Sequence, residues 1–176
     1  MNKLVLALLA AILMSASAAR AQHVFCKVEG QRQGIIKGDT TVKGQENNLA
    51  ILSLSSGVQI PFDAASGQAT GKRQHQPLTI VKNLDQASPK LFLAAVTNEN
   101  LKQVDCVFYH TIPNGLQQAF FRIQLQNAHI VETDIGGNAL TSNGIHETVR
   151  MTFERITLED LVTHVVAEDD ASQLLQ

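Results

Sequence analysis

Period-two alternation of apolar and polar residues most constrains this fold, because it decides which side of each segment can be buried. In residues 147–156, the apolar side chains Val149, Met151 and Phe153 alternate with polar ones, and residues 119–126 repeat the pattern. Successive side chains of a β-strand point to opposite faces. One face of each segment is therefore core, and the other meets solvent, a lumen or a neighbouring subunit.

Six segments are rich in apolar or β-branched residues and are separated by clusters of Gly, Asn and Pro, which is typical of β-strands. They are residues 23–29, 49–60, 77–81, 104–111, 119–131 and 147–156. With one helix signal beside them, the pattern predicts a mainly β fold, an antiparallel β-barrel or sandwich with one short α-helix packed alongside. The chain has 176 residues, 44% of them hydrophobic, which suffices for one domain, predicted over residues 22–160.

The helix signal follows the third of these segments. Ser88 can cap a helix by accepting a backbone N–H bond, and Pro89 suits the first helical position, where its missing N–H has no partner to lose. We therefore expect the helix to begin at or very near Pro89. Four apolar residues then share one side and predict a stripe packed against a sheet. They are Leu91, Phe92, Ala95 and Val96.

The first 21 residues have the composition of a secretory signal peptide. Lys3 precedes eleven consecutive apolar residues, 4–14, and the predicted cut lies between Ala21 and Gln22. This apolar run is too short to cross a bilayer of about 30 Å, so we expect no stable membrane anchor. The alternative is that translation starts at Met14, which removes the apolar run.

The charge balance argues against a nucleic-acid partner. Without the two basic residues of the leader, the chain has 12 Lys and Arg against 16 Asp and Glu, a formal net charge of −4. Nucleic-acid binding needs clustered basic side chains. Trp is absent and Tyr109 is the single Tyr, so the sequence also lacks an aromatic stacking platform.

No motif for catalysis or for cofactor binding is present. Residues 67–72 lack the spacing and the following Ser or Thr of a phosphate-binding loop, and no G-x-S-x-G sequence occurs. The six histidines are scattered without the close pairing of a compact metal motif. We therefore expect no enzyme, no metal and no cofactor.

Two cysteines, Cys26 and Cys106, each share a strand face with apolar residues, so both can point into the core. They are either two buried free thiols or, in an oxidising compartment, a disulfide. Such a disulfide would close a loop of about 80 residues and stabilise the fold by roughly 4 to 5 kcal/mol through lost entropy of the unfolded chain.

Two connections and the tail lie outside these strands. Residues 62–76 form a 15-residue loop, longer than a hairpin needs. Residues 133–145 contain Gly-Gly and Asn-Gly pairs and predict either a solvated hairpin tip or an interface. The tail, residues 161–176, is predicted to be frayed or to form a final short helix, because apolar residues around its start have helical spacing. These are Leu158, Leu161, Val162, Val165 and Val166.

Several motifs follow one another in the order found in one known family. K-V-E-G at 27–30 and I-K-G-D-T at 36–40 come first, and a D-x-A-S-P-K-L motif follows the strand at 77–81. Over residues 23–158 the chain resembles Hcp, the hemolysin-coregulated protein that forms the tail tube of type VI secretion. The helix-start motif contributes Asp85, Ser88, Pro89, Lys90 and Leu91; other matches are Gly67, Gly71, Gln74, His75 and the closing strand at 147–156.

The resemblance implies a non-enzymatic β-barrel that assembles into hexameric rings, which stack into a tube expelled by sheath contraction. The implied partners are further copies of the chain, effectors carried in the lumen, and sheath or spike components. The turn at Asp39, Thr40 and Thr41 is implied to face the lumen, and the long loop to contact neighbouring subunits or rings. The loop residues concerned are Phe62, Gly67, Gly71, Lys72, Arg73 and His75.

The leader departs from this family, whose typical members polymerise in the cytoplasm and leave through the contractile machine. If the leader is used, the mature protein is periplasmic or secreted. If translation starts at Met14, the protein is cytoplasmic before export through the machine. The runner-up function is a Sec-exported periplasmic or extracellular module for binding or adhesion, which keeps the barrel without forming tubes.

Overall fold

Strands dominate the structure, a computed structural model that describes residues 22–112, 115–140 and 144–171. All six predicted strands are present, and their antiparallel pairing confirms the mainly β fold. Two short strands, β2 and β8, are additional to the prediction. The elements in chain order are β1 (Gln22–Gly30), β2 (Gly34–Ile36), β3 (Leu49–Gln59), β4 (Gln74–Asn83), α1 (Ser88–Val96), β5 (Leu101–Thr111), β6 (Gln117–Asn138), β7 (Gly144–Asp160) and β8 (Val166–Asp170).

The sheet closes into a barrel. Its strands run in the order β1, β3, β4, β7, β6 and β5, and β5 returns to pair with β1. β2 pairs with the last residues of β1, and β8 pairs with the last part of β7, beyond the residues that pair with β4. Closure pairs most of the strand edges that an open sheet would expose.

Alternate strand positions fill the barrel with apolar side chains, as the period-two pattern predicts. Val149 and Met151 are fully buried, and α1 adds Leu91 and Ala94 to the same core. Burial of each large side chain contributes about 1.5–3 kcal/mol.

The predicted apolar stripe of the helix is wrong at two of its four positions. Phe92 and Val96 are 57% and 62% exposed. Residues three apart share one face of a helix, so burial of Leu91 and Ala94 turns Phe92 and Val96 outward.

Strands extend into two segments outside the predicted strands. At residues 133–145 the structure has a hairpin, one of the two alternatives, in which β6 continues to Asn138 opposite Gly144 of β7. The predicted final helix is wrong, since β7 continues to Asp160 and β8 folds back along it. Helical spacing of apolar residues does not make this segment a helix, because its residues gain partners across neighbouring strands, such as Leu158 opposite Ala167.

The barrel has two unlike ends. The upper end carries the start of β1, the β7–β8 turn and the β3–β4 hairpin, and the lower end carries α1 and the β6–β7 hairpin. β3 pairs with β1 as far as Val24–Ile51, and β4 pairs with β7 as far as Leu78–Met151. Beyond these pairs, toward the upper end, β3 and β4 leave the barrel wall and continue to pair with each other. Together with their loop they form what we call the arm, residues 53–77.

Candidate assembly surface

The tip of the arm is a structured turn. Phe62 and Ala69 form an antiparallel bridge, and between them the Asp63 carboxylate accepts hydrogen bonds from the Ser66 hydroxyl and from two backbone amides. The bonds from Ser66, its side chain first, hold the pKa of Asp63 below its usual value. Gly67 supplies a positive φ of 70° that closes the turn. Phe62 is left 66% exposed, so the tip presents an aromatic ring to its surroundings.

The base of the arm is joined to β8 by a carboxylate shared between two basic side chains. Arg73 donates two guanidinium hydrogen bonds to Asp169, and His75 Nε2 lies 2.6 Å from the same carboxylate. The bonds from Arg73 are the main reason that the pKa of Asp169 lies below its usual value, and His75 adds to the effect. The remaining predicted loop residues are also in the arm: Gly71 against Pro61, and exposed Lys72.

An apolar groove of about 730 Å³ lies between the arm and the barrel wall. Its walls are residues of the arm on one side and of β5, β6, β7 and β8 on the other. They include Leu54, Val58, Ile60, Phe108, Ile123 and Leu158. The groove borders the apolar core at the point where the arm extends from the barrel. Exposed apolar surface of this kind marks a place that a ligand or another protein covers.

Both ends of the barrel expose large apolar side chains. At the lower end the β6–β7 hairpin exposes Ile135, Leu140 and Ile145, and Leu140 is 96% exposed. At the upper end the β7–β8 turn exposes Val162 and Val165. Two different apolar surfaces at opposite ends suit head-to-tail contacts between copies of one chain.

The D-x-A-S-P-K-L motif fastens α1 to the barrel through buried charges. Lys82 Nζ, at the end of β4, lies 2.9 Å from Glu147 Oε2 in β7, and both side chains are buried. Lys82 also lies 2.8 Å from Asp85 Oδ1 and donates to Ser88 Oγ at 3.0 Å. Ser88 Oγ in turn donates to Glu147 at 2.7 Å. We call these four residues the helix-anchoring cluster; each of its charges has a partner, which burial requires.

Ser88 is therefore not the helix cap that the sequence predicts. The helix begins at Ser88, but the capping position is Ala87, which makes no side-chain cap bond. Asp85 Oδ1 accepts the amide of Ala87 at 2.9 Å instead. The Ser88 hydroxyl bonds Lys82 and Glu147, and the one amide that it accepts, at 3.2 Å, is that of Asp85, which lies before the helix. The other motif residues lie in the first turn: Pro89, Lys90 and Leu91.

The turn at residues 39–41 lies in the connection between β2 and β3. Asp39 and Thr41 are exposed, and the Thr40 carbonyl accepts a backbone hydrogen bond at 2.9 Å across the loop. Gly38, just before the turn, is needed for a close approach, since a Cβ there would lie 2.5 Å from the Asn48 carbonyl oxygen. The turn thus has a constrained backbone and presents polar side chains.

A second buried carboxylate, which no sequence motif marks, holds the β1–β2 turn. Glu99 is 3% exposed and accepts the amides of Arg32 at 2.7 Å and Gln33 at 2.9 Å. Burial alone would raise the pKa of Glu99, but the bonds from Gln33 and Arg32 outweigh it and the pKa lies below its usual value. Gly30 is needed for this contact, since a Cβ there would lie 2.6 Å from Glu99 Oε1.

Cys26 and Cys106 face each other across β1 and β5. They are directly opposed in the antiparallel register, with Cα atoms 4.1 Å apart and sulfur atoms 1.99 Å apart. Of the two states that the sequence leaves open, the structure has the disulfide bond.

The remaining site features are dispersed or lie outside the described residues. Ala21, before the predicted cut, is outside them, and Gln22 is the first residue of β1. Within the described ranges, no group of three or more His, Cys, Asp or Glu side chains could hold a metal ion. In the same part of the chain, no helix is long and apolar enough to span a bilayer.

Comparison with known sequences identifies relatives along most of the chain. Residues 25–159 match a family described as "Type VI secretion system effector, Hcp". A Pseudomonas aeruginosa protein named "Major exported protein" is 31% identical over 164 residues, which cover 85% of this chain and 95% of the relative.

Solved structures share the same barrel. A structure described as Hcp protein has a TM-score of 0.79 and 26% identity, covering 85% of this chain and 98% of its own. Hcp1 from the E. coli EAEC 042 pathovar has a TM-score of 0.78 and 25% identity, with coverage of 85% and 99%. Secreted protein Hcp3 from Pseudomonas aeruginosa has a TM-score of 0.71 and 25% identity, with coverage of 85% and 98%.

Proposed function

Because this chain belongs to the Hcp family of type VI secretion system effectors, we propose that it is a structural tube component whose copies form hexameric rings. In this proposal the rings stack into a tube that is expelled from the cell. The contribution of each barrel is mechanical: a closed, antiparallel wall that keeps its shape while its ends and outer faces meet other copies.

The observation that carries the proposal is the pair of unlike apolar ends. A groove and an exposed aromatic ring lie at the upper end, and the hairpin with Leu140 lies at the lower end. Because these two surfaces lie at opposite ends of the barrel, they cannot cover each other within one molecule. They can be covered when the upper end of one copy meets the lower end of the next, which is a heterologous contact.

The arm is the proposed stacking element. Its tip is held in shape by Asp63, and its base is tethered to β8 through Asp169. Such an arm can reach a neighbouring copy with little loss of conformational entropy, because its backbone is already ordered. The exposed polar turn at residues 39–41 is proposed to face the lumen, where effectors are carried. Sheath and spike components are the further partners, and no catalytic step is assigned to the chain.

Export is part of the proposal in either of two forms. The relative named "Major exported protein" supports secretion in general. The leader is cut before Gln22 and the protein reaches the periplasm or the medium, or translation starts at Met14 and the tube leaves through the machine.

The groove favours a second candidate function, an exported binding or adhesive module. A volume of about 730 Å³ between apolar walls is sufficient for a small ligand or a peptide segment. In this case the barrel remains monomeric, and the groove is filled by the ligand rather than by another copy.

Light scattering of the purified protein starting at Gln22, with electron microscopy of the same sample, separates the two functions. We expect the mass of a hexamer and ring-shaped particles. A stable monomer over a wide concentration range contradicts the tube and favours the binding module. Intact mass of the protein from its native host decides between a start at Gln22 and a start at Met14.

A point variant tests the stacking contact separately. Leu140→Glu places a charge at the lower end, so we expect rings that no longer stack. Leu52→Glu is the matched control, because it makes the same exchange at a Leu that is 54% exposed on β3, in the barrel wall below the arm. Unchanged stacking by Leu140→Glu contradicts the assignment of the lower end.

A further inference from the structure

The seam between β1 and β5 closes the barrel, and the two cysteines lie at its centre. The seam runs from Gln22–His110 to Gly30–Leu101 with Cys26–Cys106 midway. β1 has little other support, since it pairs with β2 over three residue pairs and with β3 over three. The first strand therefore depends mainly on a partner strand whose cysteine is 80 residues further along the chain.

Both sulfur atoms are enclosed by the core. Cys26 and Cys106 are 0% and 1% exposed, and the next opposed pair on the same face, Val28–Val104, is also fully buried. Thiol–disulfide exchange needs an attacking thiolate to reach a sulfur of the partner disulfide, so access limits its rate. In the closed barrel an external reagent cannot reach either sulfur. The redox state of the pair must be established while the seam is open.

We propose that Cys26 and Cys106 form an oxidation site coupled to folding, whose state is set by the compartment in which the barrel closes. A disulfide-bearing oxidant joins the two thiols during folding, and closure then protects the bond from reductants. Folding under reducing conditions instead encloses two thiols that later oxidants cannot join. The proposal concerns the single barrel and does not depend on ring formation, so tube assembly can fail without affecting it.

The chemistry is a two-step exchange. The Cys26 thiolate attacks one sulfur of the oxidant's disulfide, forming a mixed disulfide and releasing one oxidant thiol. The Cys106 thiolate then attacks the Cys26 sulfur, forming the Cys26–Cys106 bond and releasing the second oxidant thiol. Two protein thiols are oxidised, one oxidant disulfide is reduced to two thiols, and the two protons end on those thiols. Either cysteine can make the first attack.

Refolding the purified protein tests the coupling. The protein is unfolded and reduced, and it is then refolded either with oxidised glutathione or with reduced glutathione. Each sample is unfolded again with an alkylating reagent and weighed by mass spectrometry. We expect no alkylation after refolding with oxidised glutathione, and two alkylations after refolding with reduced glutathione.

The decisive step is a late change of conditions. Protein refolded with reduced glutathione is transferred, still folded, to oxidised glutathione, and alkylation in denaturant follows the loss of thiols over time. We expect oxidation at least 100-fold slower than that of the unfolded chain. Equal rates for the folded and unfolded chains overturn the proposal, as does refolding with oxidised glutathione that leaves both thiols free.

Stability provides an independent readout. The bond removes the entropy of a loop of about 80 residues, so the unfolding equilibrium constant of the reduced protein should exceed that of the oxidised protein by about 1,000-fold. Cys26→Ala/Cys106→Ala should show no response to reductant. Val28→Ala/Val104→Ala weakens the same seam by packing loss alone and should retain the response. If either double variant does not fold, the comparison of oxidised and reduced wild-type protein still decides.

Discussion

The helix-anchoring cluster and the base of the arm use similar groups in different surroundings. In the cluster, Lys82 and Glu147 are 0% and 1% exposed, whereas Arg73 and Asp169 at the arm base are 35% and 30% exposed. A buried charge depends on its partner, because no water can solvate the charge if the partner is lost. A half-exposed pair contributes little to stability, because water solvates both charges when the pair separates. The cluster thus decides whether α1 docks, and the arm base decides how firmly the arm is held.

Removing one charge of the cluster should have the largest effect. Lys82→Gln leaves the fully buried carboxylate of Glu147 without its cation, so we expect a loss of about 3–5 kcal/mol in the free energy of unfolding. Urea unfolding measures it. Glu132→Gln is the control, because it breaks the exposed pair with Arg150 on the neighbouring strands and should change stability by under about 1 kcal/mol. Similar losses for both variants would contradict the contrast.

A methyl group beside the cluster tests how tightly it is packed. Gly38→Ala places a Cβ 2.5 Å from the Asn48 carbonyl oxygen and 3.1 Å from Asp85 Oδ2, so the backbone must shift. We expect a loss of about 1–3 kcal/mol, measured by thermal and urea unfolding. Gly44→Ala in the same connection meets nothing within 4 Å, although its φ of 82° adds strain of its own. If Gly38→Ala is no more destabilising than Gly44→Ala, the backbone around residue 38 accommodates the added methyl group at little cost.

Breaking the arm base should have a smaller effect that depends on pH. The pKa of Asp169 is lower in the folded protein than in the unfolded chain, so its pairing contributes fully above the unfolded value of about 3.9 and is lost as pH falls through the folded value. Asp169→Asn should cost under about 1 kcal/mol at neutral pH. The difference between wild type and variant should disappear in acid, as followed by urea unfolding across pH. A difference that persists in acid would assign the effect to packing.

Shortening the arm should have the smallest effect on stability. Replacing residues 63–68 by Asn-Gly joins the bridged pair Phe62–Ala69 through a two-residue turn and leaves Arg73 and His75 in place. We expect a change within about 0.5 kcal/mol in the free energy of unfolding, together with rings that fail to stack. Electron microscopy and light scattering check the second result. Stacked tubes from the shortened chain would remove the arm from the stacking contact.

Local patterns predicted the elements better than they predicted the contacts between them. Alternation in residues 147–156 identified both the strand and its buried face, because that pattern follows directly from strand geometry. Ser88 and Pro89 correctly marked the start of the helix. The same Ser88 was misassigned as a cap, because its partners Lys82 and Glu147 come from other strands and no local pattern reports them.

Errors were largest where a distant strand supplied the competing interaction. The apolar spacing of residues 158–166 is helical, yet β8 forms, because pairing along β7 satisfies its backbone and offers Arg73 and His75 a carboxylate at Asp169. Phe92 was predicted to be buried and is exposed, because the buried face of α1 is selected by the position of Leu91 over the core. Glu99 gave no signal, since its partners are backbone amides of a turn more than 60 residues earlier in the chain.

The sequence by itself determined the six main strands, the position of the helix, the family and the two cysteines as candidates for one bond. These properties depend on side-chain periodicity, turn residues and motif order, all of which are local or linear. Only the tertiary structure decided that β1 closes on β5 with Cys26 opposite Cys106, that buried charges anchor the helix, and that the arm leaves an open groove. Each of these depends on which distant strands become neighbours, and closure of the barrel selects those neighbours through the register of the whole sheet.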